Sequence, residues 1–263
     1  PYDGVTSFLQ QAPQNEHSFL YAFNINYAFA ELISEACIGH WTPEQGLSPI
    51  TSWRARKNEA EIAGFRRAMQ HDGVAMVRFH RELDEKVANG SINQETEWSI
   101  AERLEEIRAE HPEYRGLSFA TIAGYAGNGA IVHYEATAED HATLSSKSFL
   151  LLDSGAHYVS GTTDITRTIP LGTLTDEEKK AYTLVLKGMI QLSMAHFPVG
   201  TTGLALDFAA RQSMWREGYD FGHGTGHGVG SHLCVHEGPH QIRKDRRAAT
   251  EVPFHVGMTV SNE

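Results

Sequence analysis

Five glycines alternate with two histidines and three other side chains across Phe221-Gly222-His223-Gly224-Thr225-Gly226-His227-Gly228-Val229-Gly230. A glycine inside a helix costs about 1 kcal/mol against alanine, so this stretch is read as extended rather than helical. With a period of two, Phe221, His223, Thr225, His227 and Val229 share one face. The bare glycine face lets another backbone or a substrate approach closely. Two histidines four apart on a helix can grip one metal together, but on a strand they stand about 13 Å apart, at roughly 3.3 Å per residue. One of them can ligate; the other must do something else. The alternative is a flexible glycine-rich loop with surface histidines, and carboxylates elsewhere in the chain must decide.

Such carboxylates stand upstream. The apolar run Phe149-Leu150-Leu151-Leu152 leads into Asp153, a Ser160-Gly161 turn signal follows, and a β-branched run from Thr162 to Thr168 leads away past Asp164. A turn centred near Val159 sets Asp153 opposite or diagonal to Asp164, with cross-strand neighbours about 4.5–5.5 Å apart at Cβ. Two carboxylates so placed repel, which raises one pKa unless a cation sits between them. Otherwise one aspartate caps the turn and faces solvent. At the other end of the chain Gly257-Met258-Thr259-Val260-Ser261-Asn262-Glu263 is a β-prone run that delivers a carboxylate, which on its own reads equally as a solvated terminus. In chain order Asp153, Asp164, His227 and Glu263 make an oxygen-rich set with one nitrogen ligand. That set suits divalent manganese, cobalt, iron or zinc, and its carboxylate richness leans toward manganese. Arg167 either neutralises the carboxylates or stays on the surface.

Of 263 residues, 41% are hydrophobic and 21% charged, the balance of an ordinary folded chain. The 22 basic against 33 acidic residues leave a net charge of −11, which disfavours nucleic-acid phosphate as a partner. Arg243-Lys244-Asp245-Arg246-Arg247 is too short and interrupted to reverse that. No apolar run approaches the roughly 18 residues of a membrane span, so no membrane partner is expected. Cys37 and Cys234 are too few for a disulfide framework and point to a reducing, cytoplasmic setting.

Periodicity outlines the elements. Residues 1–49 read as helix, strand and helix, with a strand over Phe19–Phe23 and helical spacing at Tyr27, Ala30, Leu32 and Ile33. Trp41 to Pro49 is rich in turn residues and is taken as a domain boundary, with a second domain over 50–263. A long helix is predicted over about 57–88, burying Ile62, Phe65, Met69, Met76, Phe79, Leu83 and Val87. Trp98, Ala101, Leu104 and Ile107 mark another helix. Thr175-Asp176-Glu177-Glu178 opens a third with a capping box, and a fourth covers about 203–217. Helices against antiparallel strands make the fold class α+β.

These residues resemble the metallopeptidases of pita-bread fold, the family of methionine aminopeptidase, prolidase and Xaa-Pro aminopeptidase. Within it the resemblance is nearest to the long, three-domain Xaa-Pro aminopeptidases. Their signature is similar to Gly222–Gly230 followed by Val235-His236-Glu237-Gly238-Pro239. Lys57-Asn58-Glu59-Ala60-Glu61-Ile62 and Asp72-Gly73-Val74-Ala75 resemble the first helix of the same catalytic domain, and the likeness covers nearly everything from about residue 50 onward.

The resemblance implies a creatinase-like and methionine-aminopeptidase-like catalytic domain preceded by the tail of an α/β middle domain. It implies two divalent metal ions held by Asp153, Asp164, His227 and Glu263, with Asp164 bridging and Glu263 also acting as general base. His133, His223 and His236 are implied as catalytic or substrate-facing histidines; on sequence alone each is an ordinary structural histidine. His157, His232, His240 and His255 match no catalytic position. The implied reaction is release of the first residue from peptides with proline second, by a hydroxide bridging the metals. Prolidase or methionine aminopeptidase chemistry and a non-catalytic pita-bread binding module are the alternatives. The family's fifth ligand is a glutamate on a strand that would follow Glu263, and the chain lacks an initiator methionine. It is therefore expected to be an excised fragment, weakly active at most. Its strand at 257–263 would be an apolar edge that self-association, as in a homodimer, could cover.

Overall fold

The computed structural model describes residues 3–11, 18–22, 25–36, 42–46 and 48–263. Phe23, Cys37 and Trp41, named above, lie outside these residues. The chain divides into two units, Pro1–Arg54 and Ala55–Glu263. No helix among the described residues is long and apolar enough to cross a membrane.

The first unit contains α1 (Asp3–Gln11), β1 (Ser18–Ala22), α2 (Tyr27–Ala36) and β2 (Thr42–Gly46). β1 and β2 pair in parallel, Ser18 against Thr42. The turn-rich stretch after Trp41 thus contributes a strand where a boundary was expected; in a two-stranded sheet both strands are edges, where Pro43 needs no ladder donor. On α2 Ile33 is buried, whereas Tyr27 is exposed and donates its hydroxyl to Glu31 at 2.7 Å. A short helix, α3 (Pro49–Ala55), leads on.

α4 (Glu59–Asn89) opens the second unit with a capping box between Asn58 and Glu61. Its buried stripe runs through Gly64, Ala68, Asp72, Ala75, Met76, Phe79 and Leu83. Met69, expected inside, is 44% exposed. The contact line passes instead through small Ala68, which packs with Ala156 and Tyr158, and so turns Met69 outward. α5 (Glu97–Ala109) buries Leu104 and Ile107 as expected and Ile100 besides, while Trp98 and Ala101 are half-buried and the fully buried first-turn side chain is Glu97.

Six strands follow: β3 (Tyr114–Leu117), β4 (Ile122–Tyr125), β5 (Phe149–Ser154), β6 (Ala156–Tyr158), β7 (Gly161–Thr162) and β8 (Ile165–Pro170). They form two antiparallel sheets, β4-β5-β8 and β3-β6-β7. β5 alternates, with Leu150, Leu152 and Ser154 buried. Leu150 and Leu152 join Phe79, Leu83, Leu104, Ile107, Ile165 and Ile169 in the main core between the α4–α5 pair and the sheet. Phase then places Asp153 on the opposite face from that core.

α6 (Asp176–Ser193), with the expected Thr175–Glu178 capping box, packs on α7 (Gly203–Trp215). Beyond them β9 (Gly226–His227) pairs with β10 (Gln241–Ile242). Helices packed on antiparallel sheets are the α+β arrangement the periodicity predicts.

Candidate metal centre

The hairpin register decides how the two aspartates meet. Asp153 pairs with Thr166, and Asp164 precedes β8 by one residue, so the two carboxylates lie diagonal on one face. Thr166 Oγ1 donates to Asp153 at 2.8 Å. Arg167 pairs with Leu152 and is thereby out of phase with the carboxylates. Its guanidinium is exposed and bonds the Thr166 carbonyl at 2.7 Å, so it takes no part in neutralising them.

The glycine-rich segment is extended over a shorter span than its alternation predicts. β9 covers Gly226–His227, with one further bridge from Gly228 to Val260, while residues 222 and 223 bend. The bend follows Arg211, which takes the carbonyls of Phe221 at 2.6 Å and His223 at 2.8 Å. Around β9 the bare face does admit backbone: a Cβ at Gly226 would fall 2.2 Å from the Ser261 carbonyl oxygen, and one at Gly228 would fall 1.9 Å from that of Glu237. Residues 257–263 run antiparallel alongside, Ser261 N–H donating to the His227 carbonyl and Glu263 N–H to that of Thr225, each at 2.9 Å. This segment makes isolated bridges at Met258 and Val260 rather than the predicted strand, because it splits its pairing between Arg56 and Gly228.

Asp164, His227 and Glu263 consequently converge, each offering a ligand atom within 4.8 Å of the others. His227 Nε2 lies 3.1 Å from Asp164 Oδ2 and 2.9 Å from Glu263 Oε1. Its Nδ1 meets the Gly228 carbonyl at 2.9 Å. Burial draws the imidazole pKa down, but these hydrogen bonds outweigh it and lift the value to about 10. Burial pushes the Asp153 carboxyl up to about 6, against the Thr166 bond and with help from Asp164 and Glu263. For Glu263, burial is outweighed by hydrogen bonds from His227 and from Ser261, which donates at 2.6 Å, and the carboxyl is held below its usual range. One imidazole and three carboxylates crowded until one carboxyl resists ionising is a donor set that fits a divalent cation.

The other histidines differ in setting. His236 stands beside the centre, exposed as a residue but with its ring partly desolvated 4.4 Å from that of His227, and this desolvation together with the charge on His227 lowers its pKa. His133 is exposed with φ 60° on the loop after β4 and acts electrostatically on His236. His223 is half-buried, its ring 4.6 Å from Phe221 and its charge felt by Glu263. His240, outside the expected site, is buried and bonds the Thr259 carbonyl at 2.8 Å. His157 meets Thr162 at 3.0 Å, and His232 and His255 are exposed.

Several supporting residues escape sequence reasoning. Lys57 bonds Glu237 at 2.5 Å with side chains 1% and 9% exposed, anchoring the loop that carries His236. Glu97, fully buried, accepts from Tyr125 N–H, Asn128 Nδ2, Tyr134 O–H and Ala142 N–H, and so holds both ends of the His133 loop. Charged residues inside an otherwise apolar helical stripe, such as Asp72 and Arg108, are the one local signal of such roles.

Residues 63–263 match the model of Metallopeptidase family M24. The protein named "Probable Xaa-Pro aminopeptidase P" of Laccaria bicolor is 48% identical over 216 residues, covering 82% of this chain and 33% of that protein. Its namesake in Aspergillus clavatus is 41% identical over 267 residues, covering 100% and 40%. Among solved structures, X-prolyl aminopeptidase of Caenorhabditis elegans, described as a cytosolic enzyme with a di-nuclear active site, superposes with a TM-score of 0.86 at 33% identity. That match covers 98% of this chain and 41% of the other. The chain therefore spans between 33% and 41% of the length of these three relatives. With Asp164, His227 and Glu263 converging, and with the family match running from α4 to Glu263, this chain belongs to Metallopeptidase family M24.

Proposed function

We propose that the protein carrying this chain is a dinuclear metal-dependent aminopeptidase that releases the first residue from peptides with proline at the second position. The convergence of Asp164, His227 and Glu263 beside Asp153 carries this reading. These four residues would hold the metals, and their carboxylate richness favours manganese. Bound there, a metal pair lowers the pKa of water and polarises a carbonyl.

The chain's own side chains supply the rest. Glu263 sits at the rim, 28% exposed, where it can take a proton from water and pass it to the leaving nitrogen. His236, beside His227, hydrogen-bonds the scissile carbonyl as negative charge develops on it. His133 and His223 hold the peptide beyond the scissile bond.

Proline lacks an N–H and fixes its ring near φ of about −65°, so a site shaped for it needs no amide acceptor. Any other second residue brings an unpaired N–H at a cost of roughly 1–3 kcal/mol, on the order of ten- to a hundredfold in rate. The relatives' names and the acidic charge support a cytoplasmic peptidase over a nucleic-acid binder. Full-length protein supplied with manganese should cleave Arg-Pro-Pro far better than Arg-Ala-Ala. Equal kcat/KM on the two would exclude the Xaa-Pro assignment and favour a broader peptidase.

A further inference from the structure

Two buried Asp–Arg pairs stand behind the ligand-bearing segments, and each reaches its segment through a threonine hydroxyl. In the first, Arg108 Nε donates to Asp72 Oδ1 at 2.7 Å, and both side chains are 0% exposed. Arg108 Nη2 also donates to Ser154 Oγ at 3.0 Å, and Thr163 Oγ1 donates to Asp72 Oδ2. Ser154 adjoins Asp153 in the chain, and Thr163 adjoins Asp164. The Thr163 hydroxyl further accepts from Ala156 N–H at 2.9 Å, which ties the two arms of the hairpin together.

The second pair lies on α7, where Arg211 Nε donates to Asp207 Oδ2 at 2.7 Å with side chains 0% and 2% exposed. Thr225 Oγ1 donates to Asp207 Oδ1 at 2.5 Å, two residues before His227. The guanidinium of Arg211 lies 3.6 Å over the Phe221 ring while binding the Phe221 and His223 carbonyls.

A buried ion pair roughly breaks even against well-packed apolar residues, so neither pair is explained by stability alone. Directed hydrogen bonds onto hydroxyls and carbonyls of a neighbouring strand are what an apolar pair lacks. We propose that Asp72–Arg108 and Asp207–Arg211 are positioning residues. Through Thr163 and Thr225 they hold the aspartate hairpin and the histidine strand in the register that lets their ligands meet. This inference rests on the metal-centre reading above.

Substitutions at the linking threonines test it in the full-length protein. Thr163→Val and Thr225→Val remove the hydroxyl at nearly constant volume, and Thr163→Ser and Thr225→Ser keep it. Manganese affinity, titrated by calorimetry, should fall about ten- to a hundredfold in each valine variant, as for lost partners of metal ligands, and stay near wild type in each serine variant. The two threonines lie in separate segments, so a folding failure in one variant leaves the other to decide. Unchanged affinity in a folded valine variant, even with a lower melting temperature, would overturn the proposal. Equal losses in serine and valine variants would also overturn it. Wild-type protein that takes up no manganese would instead overturn the metal-centre reading itself.

Discussion

His227 bonds Asp164 through Nε2 at 3.1 Å while its Nδ1 faces the Gly228 carbonyl at 2.9 Å. A carboxylate on one nitrogen and a carbonyl on the other both favour an N–H, and this setting lifts the pKa of the ring to about 10. When Nε2 serves as a ligand, the Nδ1–H to Gly228 is the bond that fixes the tautomer.

Metal uptake at pH 7 must therefore expel this proton. The His227 value is raised above 6.5, so its contribution to metal-free stability is complete below 6.5 and is lost as pH rises through about 10. Metal affinity moves the other way, climbing roughly tenfold per pH unit between pH 7 and 9. Below about 6 the Asp153 proton must leave as well. Calorimetry in buffers of different ionisation enthalpy should register one proton released per chain at pH 7, and a pH-independent affinity would contradict the assignment.

The two histidines of the glycine-rich segment should separate cleanly. His227 contacts Asp164 and Glu263, whereas His223 leans on Phe221 and meets the Gly224 carbonyl at 2.7 Å. His227→Ala should strip manganese through gel filtration, while His223→Ala should keep it and lose turnover. Elemental analysis reads the difference, and equal metal loss in both variants would place His223 among the ligands.

At Gly226 the backbone of the Glu263 segment comes too close for any side chain, the nearest atom being the Ser261 carbonyl oxygen at 2.2 Å. Gly226→Ala should cost about 1–3 kcal/mol as an overpacked contact and displace Glu263 from the centre. Gly222→Ala has nothing within 4 Å of its new methyl and serves as the control. Urea midpoints should drop for the first and hold for the second; matching midpoints would mean the ribbon yields freely.

Local patterns made the aspartate hairpin legible: an apolar run, a turn signal and a β-branched run leave Asp153 opposite or diagonal to Asp164, and the turn at 159–160, with Asp153 against Thr166, makes it diagonal. The capping box at Thr175 was legible for the same reason, being set by four successive residues. The roles of Asp72, Arg108, Asp207 and Arg211 were not legible, because the hydroxyls and carbonyls they bind lie on distant segments. Arg167 shows the limit of proximity in sequence: one residue of strand phase turns it away from the carboxylates beside it. Bending of the glycine-rich segment at His223 depends on Arg211, which no pattern within that segment announces.

Glu97 offers acceptors only to donors: Tyr125 N–H at 2.6 Å, Asn128 Nδ2 at 3.0 Å, Tyr134 O–H at 2.7 Å and Ala142 N–H at 2.7 Å. An amide in place of the carboxylate turns one acceptor oxygen into a donor facing donors. Glu97→Gln should leave at least one buried donor unpaired at about 1–3 kcal/mol, and loosen the loop on which His133 holds φ 60°. The proposed metal ligands lie on other segments, so uptake of added manganese should not change. Hydrogen exchange across 125–142 should quicken, and the KM for an Xaa-Pro peptide should rise more than kcat falls. A slow-exchanging loop with unchanged KM would show that Glu97 does not govern where His133 stands.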